Sequence, residues 1–484
     1  MADMTWTAEQ LAAITARNPG ILVSAGAGSG KTAVLTERVV SRIFDAADPV
    51  DADRMLIVTF TRAAAEEMRQ RIAARLRAIQ LERPGDRAVA RQMILLEQAD
   101  ISTVHAFCQR LIRENFQLLG IESGFRVADD RELGIWREDA AAEVLEEGYA
   151  AGEPAFLELV ELFAGERDDR QVTRTLLTLY DFVRAHPFYH RWMEQSVAAY
   201  HSDAPLLQTP CGEELLAAAL DSAAEAACAA AEAVELLEGD PKMEKAYGDA
   251  LRLLARDTRT VEQALRAGDW DAAVEAVRTR QDIGFKPLRG HDDREKKEAV
   301  TALRDRSQAL LDTLKKKLLL STEAEFAADR EALAPLVEQL FSMVARFDER
   351  FSERKRRQNA LDFSDLEHLT IRLLTGEDGA PTRLARELSE RFRQVFVDEY
   401  QDTNAVQDLI FRSVSDGGKN LFMVGDVKQS IYRFRQADPA IFLGKSVPSP
   451  PGRLRRRSRW PFPSTATSAA GRRSPRASTF SSTS

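Results

Sequence analysis

The chain has 484 residues, of which 44% are hydrophobic and 30% charged, and it carries a formal net charge of −9. That is enough apolar content for two or three domains with real cores, and the acidic balance excludes a generic polybasic nucleic-acid binder while leaving room for a local basic groove. The three cysteines, Cys108, Cys211 and Cys228, show no C-x-x-C spacing, which points away from a disulfide framework, a zinc site or an iron–sulfur site.

The amino terminus lacks the basic-then-apolar pattern of a signal peptide, and no apolar run approaches a membrane span. The expectation is a soluble, cytoplasmic protein. The first helix opens at Trp6-Thr7-Ala8-Glu9-Gln10-Leu11. Thr7 and Gln10 fit a capping box, and Trp6 and Leu11 fit the hydrophobic staple around it. Capping is a complete structural explanation of Gln10. Its other explanation is a hydrogen bond to an adenine edge, and the two do not exclude each other.

A short apolar run, Ile21-Leu22-Val23, leads into Ser24-Ala25-Gly26-Ala27-Gly28-Ser29-Gly30-Lys31-Thr32 and then into a helical pattern from Ala33. Strand, glycine-rich turn and helix is the context of a phosphate-binding loop. Glycines at 26, 28 and 30 let the backbone turn tightly, so that successive N–H groups face phosphate oxygens. The helix start near Lys31 adds its positive dipole end. Lys31 is placed to reach the β- and γ-phosphates of ATP or GTP, and the Thr32 hydroxyl to ligate Mg²⁺. The strict pattern wants glycine at position 25, where this chain has Ala25. The bland alternative is a flexible loop ahead of a helix.

Met55-Leu56-Ile57-Val58-Thr59-Phe60 reads as a buried parallel strand and runs into a strong helix former, Thr61 to Met68. Strand, turn and helix repeat around Ile101-Ser102-Thr103-Val104-His105-Ala106-Phe107-Cys108. Alternation of this kind argues a doubly wound α/β domain with ligands at the strand ends. From about Asp129 to Glu390 the pattern becomes helical throughout. Its charge runs, Lys315-Lys316-Lys317 and Arg354-Lys355-Arg356-Arg357, read as solvated helix faces, with a DNA-facing role as the alternative. The alanine-rich stretch Ala217 to Ala233 reads as ordinary helix. Strand character returns at Arg393–Glu399 and Asn420–Asp426, so the two ends of the α/β part are expected to share one discontinuous sheet. From Ser446 the chain is Ser, Pro and Arg in bulk, with no Asp, Glu or Lys after Lys445. By composition this tail is disordered. It is either a basic DNA-binding tail or the product of a shifted reading frame, and the second is preferred.

Val395-Phe396-Val397-Asp398-Glu399 supplies the partner that a phosphate-binding loop requires. Asp398 is placed to hold Mg²⁺, and Glu399 to orient and deprotonate the attacking water. Gln429, shortly after a strand end, is within the reach of a γ-phosphate. Tyr432 and Phe434 alternate with Arg433 and Arg435, the composition of a single-strand stacking surface. The alternative is one packed aromatic with solvated arginines.

These segments also carry a resemblance. Q-x-x-A-I, A-G-A-G-S-G-K-T, T-F-T-R-A-A-A-E-E-M, T-V-H-A-F-C, D-E-Y-Q-D-T and V-G-D-V-K-Q-S-I-Y-R-F-R resemble, in this order, the motifs of UvrD/Rep-type superfamily 1 helicases. Gly124–Asp129, Leu361–Glu367 and Arg435–Pro439 are more similar to the AddA-type helicase–nuclease branch, and Phe434 and Gln436 stand where the UvrD type usually has Trp and Gly. The resemblance covers residues 5 to 445. It implies an α/β, P-loop (RecA-like) parallel-sheet motor domain in two segments, 1–124 and 391–445, with a large all-helical insertion at 125–390 and the tail at 446–484. It implies ATP and Mg²⁺ as cofactors. The partners it implies are single- and double-stranded DNA and an AddB-like subunit. The activity implied is ATP-dependent 3′-to-5′ unwinding in double-strand-break processing and recombinational repair.

By the same resemblance Gln10 reads adenine, residues 25–32 cradle phosphate, and Lys31 and Thr32 contact phosphate and Mg²⁺. Asp398, Glu399 and Gln429 are then metal ligand, base and γ-phosphate sensor. Phe60, Thr61, Thr103, His105, Tyr432, Phe434 and Arg435 line the single-strand path. Nothing after Lys445 resembles the second motor domain or nuclease domain that follow in the family. An N-terminal part with an out-of-frame tail is therefore expected. Two other readings stand beside it: an ATP- and DNA-binding module without turnover, and an unrelated P-loop ATPase.

Overall fold

The structure is a computed structural model, and it describes residues 6–26, 28–163, 169–280, 284–285, 288, 291–376, 379–426 and 441. They are mostly helical. Five parallel strands form the principal sheet: β1 (Ile21–Ser24), β2 (Met55–Thr59), β3 (Asp100–Thr103), and, after a short separate pair of β4 (Arg126–Val127) with β5 (Ala360–Leu361), β6 (Gln394–Val397) and β7 (Leu421–Gly425). The spatial order is β1-β7-β6-β2-β3. Strands from the two ends of the chain therefore interleave, as the discontinuous α/β pattern required.

All five strands are parallel, and they end within two residues of one another in register. Ser24 is level with Gly425, Val58 with Val397, and Thr59 with Thr103. Every strand therefore delivers its following loop to one edge of the sheet, where open α/β sheets bind ligands.

Both faces of the sheet are covered, which explains why its strands read as continuous apolar runs. Successive residues still point to opposite sides. Met55, Ile57, Phe396, Phe422 and Val424 join one core with the helices α2 (Lys31–Ile43), α3 (Arg62–Glu82) and α4 (Arg87–Gln98), through Leu35, Val39, Met68, Ile72 and Leu96. Leu56, Val58, Val395, Val397, Leu421 and Met423 join the other, with Phe107, Cys108 and Leu111 of α5 (Val104–Glu114).

That second core also holds Leu366, Ile371, Leu373 and Leu374 of the helix Phe363–Leu374, and Ala385 and Leu388 of the helix Arg383–Arg391. The return to the sheet domain thus begins well before residue 390, where the change of pattern placed it. An amphipathic helix has the same sequence signature whether it packs on a sheet or on other helices.

The described residues fall into two compact units. One comprises those of Met1–Val197 and Leu336–Pro451, and the other includes Ala198–Pro335. In the first unit a further core forms from Val144, Leu145, Leu176, Tyr180, Phe347 and Phe351. In the second, the alanine-rich stretch lies in the helix Pro210–Glu235, and Ala219, Ala223, Ala230 and Ala233 are fully buried. The small side chains allow close approach of the helix Arg294–Thr313, whose Ser307 Oγ donates to the Ala226 carbonyl at 2.9 Å.

The run Arg354-Lys355-Arg356-Arg357 is not uniformly a solvated face. Lys355 is only 2% exposed, and its ammonium reaches Asp362 at 2.8 Å and Asp365 at 2.6 Å. Arg354 pairs with Glu143, and Arg357 with Glu353. Burial of a charge is tolerated here because carboxylates and hydrogen bonds meet it. Among the described residues no helix is long and apolar enough to cross a membrane. The tail, residues 446–484, lies outside the described residues.

Candidate functional site

The loop after β1 is built by two glycines in the left-handed region. Gly28 has φ +73° and Gly30, the residue capping α2, has φ +81°. A side chain at either position is strained. Ala25 is not among the residues with positive φ, and its N–H donates to the Gly425 carbonyl at 3.0 Å. This is why alanine is accepted where the strict pattern asks for glycine: the position continues β1 beside β7. Ser29 closes the turn, with its hydroxyl donating to the Gly26 carbonyl at 2.7 Å. Ala27 lies outside the described residues.

The helix α1 (Ala8–Thr15) begins with the expected capping box between Thr7 and Gln10. The Gln10 side chain does more than cap. Its Oε1 accepts from the Thr7 N–H at 2.9 Å, while its Nε2 donates to the Ser29 carbonyl at 3.0 Å. The cap thereby fixes Gln10 against the loop. Leu11, expected to close a staple with Trp6, is 50% exposed. The docking of α1 comes instead from Arg38 of α2, whose guanidinium donates to the carbonyls of Ala13, Ile14 and Ala16 at 2.7, 3.1 and 3.0 Å. The sequence reading missed Arg38, because an arginine on a helix gives no local sign of capping another helix.

Lys31 opens α2, and its ammonium is buried with no hydrogen-bond partner. The nearest carboxylate is Glu399, with Oε2 3.7 Å away. Thr32 is half-buried next to it. The acidic residues come from the end of β6. The Asp398 N–H donates to the Val58 carbonyl at 2.9 Å, continuing the ladder. Glu399 then turns away at φ +50°, a left-handed conformation on a non-glycine residue. Such strain costs on the order of 1–3 kcal/mol and persists only where neighbours enforce it.

The neighbours are visible. The Glu399 N–H donates to Asp398 Oδ1 at 3.0 Å, and Gln401 Nε2 donates to Glu399 Oε2 at 2.8 Å. Gln401 is 2% exposed, and its Oε1 accepts from the Asp426 N–H at the end of β7 at 2.9 Å. Gln401 is thus the clamp on the Glu399 carboxylate. Gln401 falls within the D-E-Y-Q-D-T motif, whose local sequence gives no sign of this role.

Burial, reinforced by the Glu399 charge, pushes the Asp398 carboxyl up to about 6, against the pull of Lys31. Asp402 is pushed to about 6 by the same two causes, and its Oδ1 is buried without a hydrogen bond. The site is short of positive charge. Among the described residues no group of three or more His, Cys, Asp or Glu side chains forms a protein-only metal cage. One carboxylate and one hydroxyl, with phosphate oxygens and water completing the shell, is the way Mg²⁺ is ordinarily held. The orphaned ammonium, the left-handed glycines and these oxygen donors therefore fit a magnesium nucleotide.

The neighbouring strands end in the residues expected along a single-strand path. Thr61 and Thr103 cap α3 and α5, accepting from Ala64 N–H at 3.1 Å and Ala106 N–H at 3.2 Å. Phe60 is half-buried at the end of β2. His105 Nε2 lies 3.1 Å from Glu367 Oε1, and its ring rests 4.6 Å from that of Phe363. Phe363 is 48% exposed, a large ring left on the surface, and the sequence reading passed over it. The strand order divides the edge: β1, β7 and β6 carry the glycine-rich loop and the acidic turn, while β2 and β3 carry Phe60, Thr61, Thr103 and His105. Gln429, Tyr432, Phe434 and Arg435 lie outside the described residues.

The profile of the UvrD/REP helicase N-terminal domain matches residues 6–448. The chain is similar to a curated "ATP-dependent helicase/nuclease" subunit of Acetivibrio thermocellus, at 39% identity over 463 residues, covering 92% of this chain and 36% of that protein. It is likewise similar to the proteins of the same description from Desulforudis audaxviator, at 40% identity over 465 residues, 92% and 37% of the two chains, and from Thermoanaerobacter pseudethanolicus, at 38% over 452 residues, 91% and 36%. The chain thus spans little more than a third of the length of these curated relatives. By the match over most of its length, the chain belongs to the UvrD/REP helicase N-terminal domain family.

Proposed function

We propose that this chain is the ATP-binding motor part of an ATP-dependent 3′-to-5′ DNA helicase subunit, working with an AddB-like partner in double-strand-break processing and recombinational repair in the cytoplasm. The observation that carries this reading is the Lys31 ammonium, buried without a hydrogen bond between left-handed glycines and the Glu399 carboxylate. A buried cation left in this way requires an anionic partner.

In this reading residues 25–32 wrap the phosphates, with Lys31 on the β- and γ-phosphates and Thr32 and Asp398 holding Mg²⁺. A Mg²⁺ held there would supply positive charge against the β- and γ-phosphates. Gln10 reads the adenine edge from a position its cap and its bond to Ser29 have already set. Glu399 accepts the proton of the attacking water, held for that by Gln401. Gln429 senses the γ-phosphate. Phe60, Thr61, Thr103 and His105, with Tyr432, Phe434 and Arg435, follow the DNA strand, and the exposed Phe363 ring extends that surface. The motor is RecA-like, built on residues 1–124 and 391–445, with the helices Phe363–Leu374 and Arg383–Arg391 of the intervening helical segment 125–390 packed against its sheet.

The test is nucleotide affinity by fluorescence. Lys31→Ala removes a charge-assisted contact worth roughly 1.5–3 kcal/mol, which is about a tenfold or greater loss of affinity. Equal affinity in wild type and Lys31→Ala refutes the assignment.

A further inference from the structure

One buried carboxylate outside the nucleotide site joins the two halves of the sheet edge. Glu367, on the helix Phe363–Leu374, is 5% exposed. Its Oε1 accepts from Gln407 Nε2 at 2.6 Å and faces His105 Nε2 at 3.1 Å, and its Oε2 accepts from Asn404 Nδ2 at 3.2 Å. Three donors from two other segments converge on two oxygens. Only an acceptor-only group meets all of them, because an amide in its place would turn its own N–H₂ toward a donor. Burial opposes the charge, but the bonds from His105, Gln407 and Asn404 hold this carboxyl below its ordinary range.

The donors belong to different functions. His105 lies at the start of α5 against the exposed Phe363 ring. Asn404 caps the helix Ala405–Ser413, which carries Gln407. That helix follows the acidic turn without slack. The Asp402 N–H donates to the Glu399 carbonyl at 3.0 Å, the Thr403 N–H donates to the Tyr400 carbonyl at 3.2 Å, and the buried Tyr400 hydroxyl bonds Asp408 on the helix itself. At the far end sits Glu399 in its left-handed, strained conformation.

We propose that Glu367 is a positioning residue that couples occupancy of the single-strand surface at His105 and Phe363 to the geometry of the Glu399 turn. The inference rests on the nucleotide and DNA reading above. A strand that displaces His105 withdraws one donor from Glu367, shifts its balance toward Asn404 and Gln407, and so moves the helix to which the Glu399 turn is tied. Reciprocally, nucleotide at the turn alters the DNA surface, as linkage demands.

The experiment measures oligo(dT) affinity by fluorescence anisotropy with the whole chain, with and without Mg²⁺ and ATPγS. In wild type the nucleotide should change the affinity by about fivefold or more, the lower end of ordinary allosteric coupling. In Glu367→Gln that ratio should fall to within about twofold of one, on the same scale. Gln407→Met, at a half-buried position, should also lower the ratio and serves if Glu367→Gln does not fold. A wild-type ratio in Glu367→Gln, or in Gln407→Met where the first does not fold, overturns the proposal, as does a ratio of one in wild type itself. Failure of the underlying reading is distinct: wild type then binds no nucleotide or no oligo(dT) at all.

Discussion

Replacing Asp398 by Asn should stabilise the nucleotide-free protein at neutral pH. In the folded chain the Asp398 carboxyl sits at about 6 against an ordinary value of 3.8, raised first by burial and then by Glu399. The folded state therefore binds this proton more tightly than the unfolded state. Below pH 3.8 both states are protonated and ionisation costs nothing. Above pH 6 both are ionised, and the folded state bears the full cost of a buried, poorly paired carboxylate. Stability contributed by this group thus falls as pH rises from about 4 to about 6. The shift of about two units sets an upper limit of about 3 kcal/mol.

Asn is the neutral equivalent of the protonated acid, and its Oδ1 can keep the bond from the Glu399 N–H. Urea unfolding in EDTA at pH 7.5 and pH 4.5 reads the effect. Asp398→Asn should be more stable than wild type by about 1–3 kcal/mol at the higher pH, and the gap should shrink to about a third of that at the lower, where the unfolded carboxyl is still mostly ionised but the folded one is protonated. Added Mg²⁺ should narrow the gap at pH 7.5 by stabilising wild type alone. A variant no more stable than wild type at pH 7.5 would show that the carboxylate is adequately paired within the protein, and the cation-deficient reading of the site would fail.

Gly30→Ala places a side chain at φ +81°, 3.4 Å from Gln10 Nε2, and should cost roughly 1–2 kcal/mol of stability together with a loss of nucleotide affinity, read by urea midpoint and fluorescence titration. Phe363→Ala should leave the melting temperature close to wild type, because the ring is half exposed, yet weaken oligo(dT) binding by about tenfold, since a base–aromatic stack is worth roughly 1–3 kcal/mol. A lower melting temperature with unchanged oligo(dT) affinity would make Phe363 a packing residue only.

The glycine loop between β1 and α2 was legible in the sequence because everything that makes it is local. Left-handed glycines, a strand before and a helix after are consecutive in the chain, and backbone sterics assign them without a distant partner. The capping box at Thr7 and Gln10 is local in the same sense. Asp398 and Glu399 were legible as a strand end carrying two carboxylates. That the two strand-bearing regions share a sheet followed from their pattern, since a lone buried parallel strand needs neighbours.

What only the tertiary structure decided depends on residues far apart in the chain. His105 and Glu367 meet across 262 positions, Gln401 ties Glu399 to Asp426, which follows β7 and lies 25 positions beyond Gln401, and Arg38 caps a helix that precedes it by more than 20 residues. None of these side chains has a composition or spacing that announces its partner. The helices Phe363–Leu374 and Arg383–Arg391 show the same limit at the level of domains: periodicity reveals that one face is apolar, not which surface will cover it. Amino-acid sequence determines local backbone geometry and the burial tendency of each face. Which buried donors and acceptors come to satisfy one another is determined only when the chain closes on itself and water is excluded from between them.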